Sequence, residues 1–122
     1  MARRKPRKAD QLRAPEHEYR SPEGDVIALR GAMTPGTRAE YARTRSGEGL
    51  APGAAREDAW QRAVEFLFER LAARWEIAGT EPIVKQQELL ARLRFASTDE
   101  RRWIRDVLRE HLAEHFPDLE AP

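Results

Sequence analysis

Trp60, Val64, Leu67, Leu71, Trp75 and Ala78 follow one another at intervals of four, three, four, four and three. At about 100° per residue these positions line up as one stripe with Phe68 at its edge, so the spacing predicts a long amphipathic helix. Gly79 reads as its stop, and Thr80-Glu81-Pro82 as a restart. A second helix then presents Ile83, Leu89, Leu90 and Leu93 on one side. Ser97-Thr98-Asp99-Glu100 has the form of a capping box, opening a third helix that buries Trp103, Ile104, Val107, Leu108, Leu112 and Phe116 and stops before Pro117. Three helices with short connections predict a compact antiparallel bundle over residues 55–122.

The upstream pattern is different. In residues 16–54, Ser21-Pro22-Glu23-Gly24 lies between a short segment around Tyr19 and the run Val26 to Leu29, with Pro and Gly where a type I turn takes them, which predicts a small hairpin. Thr34-Pro35 and Thr37-Arg38-Ala39-Glu40 both read as helix starts, the second as a capping box, with a short helix running to about Arg43. A glycine-rich linker, SGEGLAPGA, covers residues 46–54. Residues 1–15 have almost no apolar content and are expected to be a disordered basic arm. The expected fold class is therefore mainly α: a C-terminal three-helix bundle forming one domain with a β-hairpin and short-helix element, preceded by that arm.

Composition narrows the picture. A chain of 122 residues with 40% hydrophobic and 35% charged side chains can build one modest core. It has no cysteine, which removes disulfides and thiolate metal sites and fits a reducing compartment. The longest aliphatic run is Val26-Ile27-Ala28-Leu29, far short of a membrane span, and the basic start lacks the apolar stretch of a secretory signal, so a cytoplasmic protein is expected. Nineteen arginines beside three lysines, together with many alanines, match the bias of a GC-rich bacterial genome. The net charge of +1 is unevenly spread: residues 1–14 carry +5, residues 15–54 carry −1 and residues 55–122 carry −3.

On the first long helix Ala59, Phe66, Ala73 and Ile77 form a second, narrower stripe roughly opposite the first. Either Tyr19, Ile27, Leu29 and Tyr41 of the upstream segment cover it, or it is a dimer or partner surface, because an exposed apolar stripe is usually used. A homodimer through Phe66 and Ile77 is the concrete form of the second reading.

The chemistry-bearing stretch is HLAEH, residues 111–115. His111 and His115, at i and i+4, share a helical face, which suits zinc, and a glutamate beside them could polarise a bound water. The order His-x-x-Glu-His resembles the inverted zinc-peptidase motif of the pitrilysin and insulysin family over these five residues alone. That family takes a third ligand from a glutamate far downstream, whereas seven residues follow His115 here. Angular counting also puts both imidazoles within the arc of Ile104, Val107, Leu108 and Leu112, with Glu114 about a quarter turn away. The expectation is a pair of imidazoles at the edge of the core, able to make stability pH-sensitive, with a metal completed by His17 or a second subunit as the lesser reading.

No other constellation points to catalysis, and no cofactor or small-molecule substrate is expected. Gly47, Gly49 and Gly53 have neither the dinucleotide-loop nor the phosphate-loop spacing, and Ser21, Ser46 and Ser97 have turn, linker and capping roles. Nucleic-acid binding rests on Arg3, Arg4, Lys5, Arg7 and Lys8 of the arm and on a ridge of Arg102, Arg105 and Arg109, although Asp99, Asp106, Glu110 and Glu114 adjoin that ridge. The expected function is a small non-enzymatic interaction or regulatory module acting through helical protein–protein contacts, with a protein partner or a second copy. The alternatives are a nucleic-acid-binding accessory protein using its arm and a metal-binding protein using the HLAEH helix.

Overall fold

Four consecutive apolar residues, Val26 to Leu29, offer no polar face to solvent, a pattern suited to a strand covered on both faces. The computed structural model, which describes residues 15–51, 53 and 56–122, buries all four. Strands β1 (Glu16–Arg20), β2 (Val26–Arg30) and β3 (Ala72–Glu76) form one antiparallel sheet in that order, with β2 in the middle. Helices α1 (Pro35–Ser46), α2 (Arg56–Leu71), α3 (Gln86–Arg94) and α4 (Thr98–His115) complete the described fold. It is an α+β arrangement, and the expected C-terminal three-helix bundle does not describe it. The basic arm up to residue 14, and residues 52, 54 and 55 of the linker region, lie outside the described residues.

The hairpin turn closes through Gly24 N–H donating to Ser21 O (3.0 Å), while Ser21 Oγ accepts from Asp25 N–H (3.0 Å). Gly24 adopts φ 93, in the left-handed region that suits glycine. Cross-strand partners share a face, so His17, Tyr19, Ile27, Leu29 and Trp75 point inward together. Outward, Ala28 lies between Glu18 and Arg74. The Arg74 guanidinium reaches over it to hydrogen-bond Glu18, sits 3.7 Å from Glu16 and donates to Glu76 at 2.6 Å. These long side chains cover the outer face of β2.

The correction to the bundle lies at Leu71. Instead of running on to Ala78, α2 ends there and the chain passes directly into β3. The interval of four from Leu71 to Trp75 fits a helical face and is also an even, same-face strand spacing, so periodicity does not separate the two. Pairing decides: without β3, β2 would leave a ladder edge open, and an isolated two-stranded hairpin is marginal in water. Trp75 also exchanges both backbone hydrogen bonds with Ile83 at 2.9 Å, so Ile83 belongs to a bridge rather than to a second bundle helix.

Helix α1 starts one signal earlier than the Thr37 capping box: Thr34 Oγ1 accepts from Thr37 N–H (3.1 Å) with Pro35 following, and Gly47 in the left-handed region ends it. Ser97 and Glu100 form the reciprocal capping box of α4. Ile27, Leu29, Tyr41, Leu67, Phe68, Trp75, Leu89, Leu108, Leu112 and Phe116 meet in one core between sheet and helices. Trp75 lies there fully buried, edge-on to Phe68 at 5.6 Å and under the Arg92 guanidinium, whereas Trp60 is half-buried beneath Arg105. Trp75→Ala is therefore expected to lower the unfolding free energy by about 3–5 kcal/mol in urea titrations, and Trp60→Ala by clearly less. Equal costs would contradict the full burial of Trp75 against the partial burial of Trp60.

Candidate functional site

All three histidines of the chain meet at one junction between β1 and α4. Period-two alternation turns His17 and Tyr19 to the inner face of β1, and the i, i+4 spacing puts His111 and His115 on the facing side of α4. The rings of His17 and His115 stack at 3.9 Å, His111 lies 4.7 Å from His115 and 5.8 Å from His17, and Tyr19 meets His111 edge-on at 5.6 Å. Gly31 makes the stack possible, because a Cβ there would come within 2.9 Å of His17 Nε2.

His111 is fully buried and both its ring nitrogens are engaged. Nε2 lies 2.8 Å from Arg30 O, and a carbonyl only accepts, so Nε2 carries the proton. Nδ1 is then a lone pair and accepts from the Tyr19 hydroxyl at 2.7 Å. Burial is the main cause that holds the His111 pKa below the usual imidazole value; its hydrogen bond to the Arg30 carbonyl opposes, while His115 and His17 add to the lowering. Burial first, then Glu114 and Glu110, pushes the Tyr19 hydroxyl up to about 12, which keeps it a donor. One neutral imidazole thus ties α4 to both strands of the hairpin.

This geometry does not resemble a metal site. Among the described residues no group of three or more histidine, aspartate or glutamate side chains is placed to hold a metal ion. His17 does come to the helix, as one of the two forms of the metal reading expected, but it arrives as a stacked ring. Among the described residues, the ionic neighbour of His115 is Glu114 at 3.7 Å.

The stripe Ala59, Phe66, Ala73 and Ile77 is not one helical face. Ala59 is buried, and Phe66 is half-buried between Tyr41 (6.4 Å) and the Arg70 guanidinium (4.8 Å). Ala73 falls at the register shift of β3 opposite Ala28 and Leu29, and half-buried Ile77 follows that strand. The helix stops before the last two, so the angular count that joined the four no longer applies.

The arginine ridge of α4 is committed mainly to internal contacts. Arg105 and Arg109 donate to Pro122 O (3.0–3.3 Å), Arg105 also covers Trp60, and Arg102 pairs with Asp99. From α1, Arg45 donates to Ala121 O (2.9 Å), Tyr41 to Glu120 O and Arg38 to the Asp118 carboxylate. Residues 117–122 thus form a strap sewn between α1 and α4. Arg3, Arg4, Lys5, Arg7 and Lys8 lie outside the described residues.

A surface feature that helical counting had not singled out is the outward side of α3. Val84 and Phe95 are the large apolar side chains exposed among the described residues, at 60% and 87%. Within α3, at about 100° per residue, exposed Gln87, Glu88 and Ala91 turn away from buried Leu89 and Leu93; Phe95 follows on that side as the C-cap, and Val84 precedes the helix. Within the helix this side carries Glu88 as its charge, with Arg94 at its end, in a chain whose residues are 35% charged. The signal was present as Phe95 lying off the Leu89–Leu93 side, but only burial distinguishes an exposed apolar residue from a core one.

No helix among the described residues is long and apolar enough to cross a membrane. No family model, curated protein or solved structure matches the chain.

Two stability outcomes follow from the His111 bridge. Tyr19→Phe leaves buried Nδ1 without a donor and is expected to cost about 1–3 kcal/mol in urea unfolding at pH 7.5. Because the folded-state pKa of His111 is lowered, the unfolded chain binds more protons below about pH 6.5. Stability should therefore be full above that pH and decline as pH falls through it. A flat profile from pH 8 to 5 would contradict the buried neutral imidazole.

Proposed function

We propose that the chain is a small, non-enzymatic interaction module that self-associates through the outward face of α3. The observation that carries this reading is Phe95, 87% exposed at the end of a nine-residue helix whose opposite side is in the core. Exposing so much aromatic surface costs solvation free energy that burial against a second surface recovers, at roughly 25 cal/mol per Å². A symmetric interface apposes a patch to its own copy, so the patch must complement itself. Phe95, Ala91 and Gln87 are uncharged, and Glu88 and Arg94, of opposite sign, flank them on α3.

The non-catalytic part of the reading is supported by what the hydroxyls do. Ser21 Oγ accepts from the turn, Ser46 Oγ donates to Arg43 O and Ser97 caps α4, so each serine serves the backbone rather than a neighbouring base.

Light scattering or sedimentation over a concentration series should show a dimer. Phe95→Asp should shift the protein to monomer while keeping it folded, and its melting temperature should no longer rise with protein concentration as the dimer's does. A wild-type monomer at every concentration, or a dimer indifferent to Phe95→Asp, would remove this interface.

A further inference from the structure

We propose that the cleft where α2 meets the end of α3 and the first turns of α4 binds a small organic carboxylate, its anionic end on Arg101, Arg102 and Arg105 and its apolar body on Val64 and Leu93.

The cleft follows from helical spacing. Thr98, Arg101, Arg102 and Arg105, at i, i+3, i+4 and i+7, share one side of α4, and Gln61 and Val64, three apart on α2, line the opposite wall. Leu93 of α3 completes the lining of a space of about 250 Å³. Drug-sized ligands occupy roughly 300–1,000 Å³, so this cleft takes a smaller molecule.

Three guanidiniums line the cleft and no carboxylate does. Two of them are fixed through the same edge. Arg101 donates from Nε to Ala96 O (3.2 Å) and from Nη2 to Arg94 O (2.6 Å), and Arg105 donates from Nε and Nη2 to Pro122 O (3.3 and 3.2 Å). Among the described residues no hydrogen bond uses Nη1 of either side chain, and Arg101 is in no ion pair. A peptide carbonyl satisfies donors without cancelling their charge, so Arg101 holds a full positive charge in a set orientation. Arg102 pairs with Asp99 at 3.3 Å, but both side chains are largely exposed, and such a pair yields readily to a competing anion. Glu65, next to Val64 in sequence, accepts from Gln61 and is matched by Arg94 at 3.1 Å.

This lining selects the ligand. Residues 55–122 carry a net charge of −3, so an extended polyanion meets repulsion beyond the cleft, whereas a single compact anion feels mainly the three arginines. A guanidinium presents paired N–H donors that match the two oxygens of a carboxylate. Val64 and Leu93 give nothing to an inorganic ion, but they shield an apolar body from water.

Backbone amide shifts of the full chain, titrated with benzoate, test the site, with acetate at equal ionic strength supplying the charge without the ring. Benzoate should give saturable shifts at Gln61, Val64, Leu93, Thr98 and Arg101, and acetate should bind about tenfold more weakly or worse for want of an apolar body. Arg101→Gln removes one charge-assisted contact and should weaken benzoate by about tenfold. Arg102→Gln alters an exposed side chain, serves if Arg101→Gln does not fold, and should weaken benzoate severalfold. No saturable shift, acetate binding as tightly as benzoate, or both variants binding like wild type overturns the proposal. None of these outcomes bears on self-association through α3, which the concentration series tests by itself.

Discussion

Pairing on both sides of β2 is the constraint from which the rest of the molecule follows. Val26 to Leu29 have no polar position to turn outward, so both ladders and both faces of that strand must be occupied. β1 supplies one ladder through a tight turn. β3 supplies the other, which obliges the chain to leave helical geometry at Leu71 without an intervening loop. Inward, Ile27 and Leu29 enter the core; outward, Arg74 and its glutamates cover Ala28. The last carbonyl of the strand, Arg30 O, receives the His111 imidazole and so connects α4 to the sheet.

Sequence patterning reveals local elements well and long-range pairing poorly. The turn at Ser21–Gly24, the Thr34-Pro35 start of α1 and the Ser97–Glu100 box are each written within four residues, and each forms. β3 is different, because its partner lies more than forty residues upstream, as in the pairing of Ile27 with Trp75. Ala72-Ala73-Arg74 carries no strand preference that would override a helical run ending in Leu71 and Trp75. The bundle reading came from that ambiguity, and so did the interface stripe, which borrowed Ala73 and Ile77 from beyond the helix. The histidines were legible as a pair facing the core. That Tyr19 and the Arg30 carbonyl would occupy both nitrogens of one of them was not, since neither is near it in sequence.

The arginine-rich composition acquires a physical role once the contacts are known. Arg30, Arg45, Arg101, Arg105 and Arg109 donate to main-chain carbonyls at strand ends, at the end of α3 and along the strap of residues 117–122. A planar guanidinium with several fixed donors can satisfy such carbonyls while its stem covers apolar surface, which a compact ammonium does less well. In the described residues arginine therefore acts largely as a structural fastener. That leaves the exposed Phe95 side of α3 and the arginine-lined cleft beside Val64 as the features among the described residues not accounted for by folding alone.

The state of one ring bears most directly on how the sheet and α4 are joined. Nitrogen NMR of the histidine side chains at pH 7 should find His111 as a single fixed tautomer, with Nε2 protonated and Nδ1 a hydrogen-bonded acceptor. Two nitrogens averaging between tautomers, as in a solvated imidazole, or a proton residing on Nδ1, would contradict the bridge between Tyr19, His111 and Arg30.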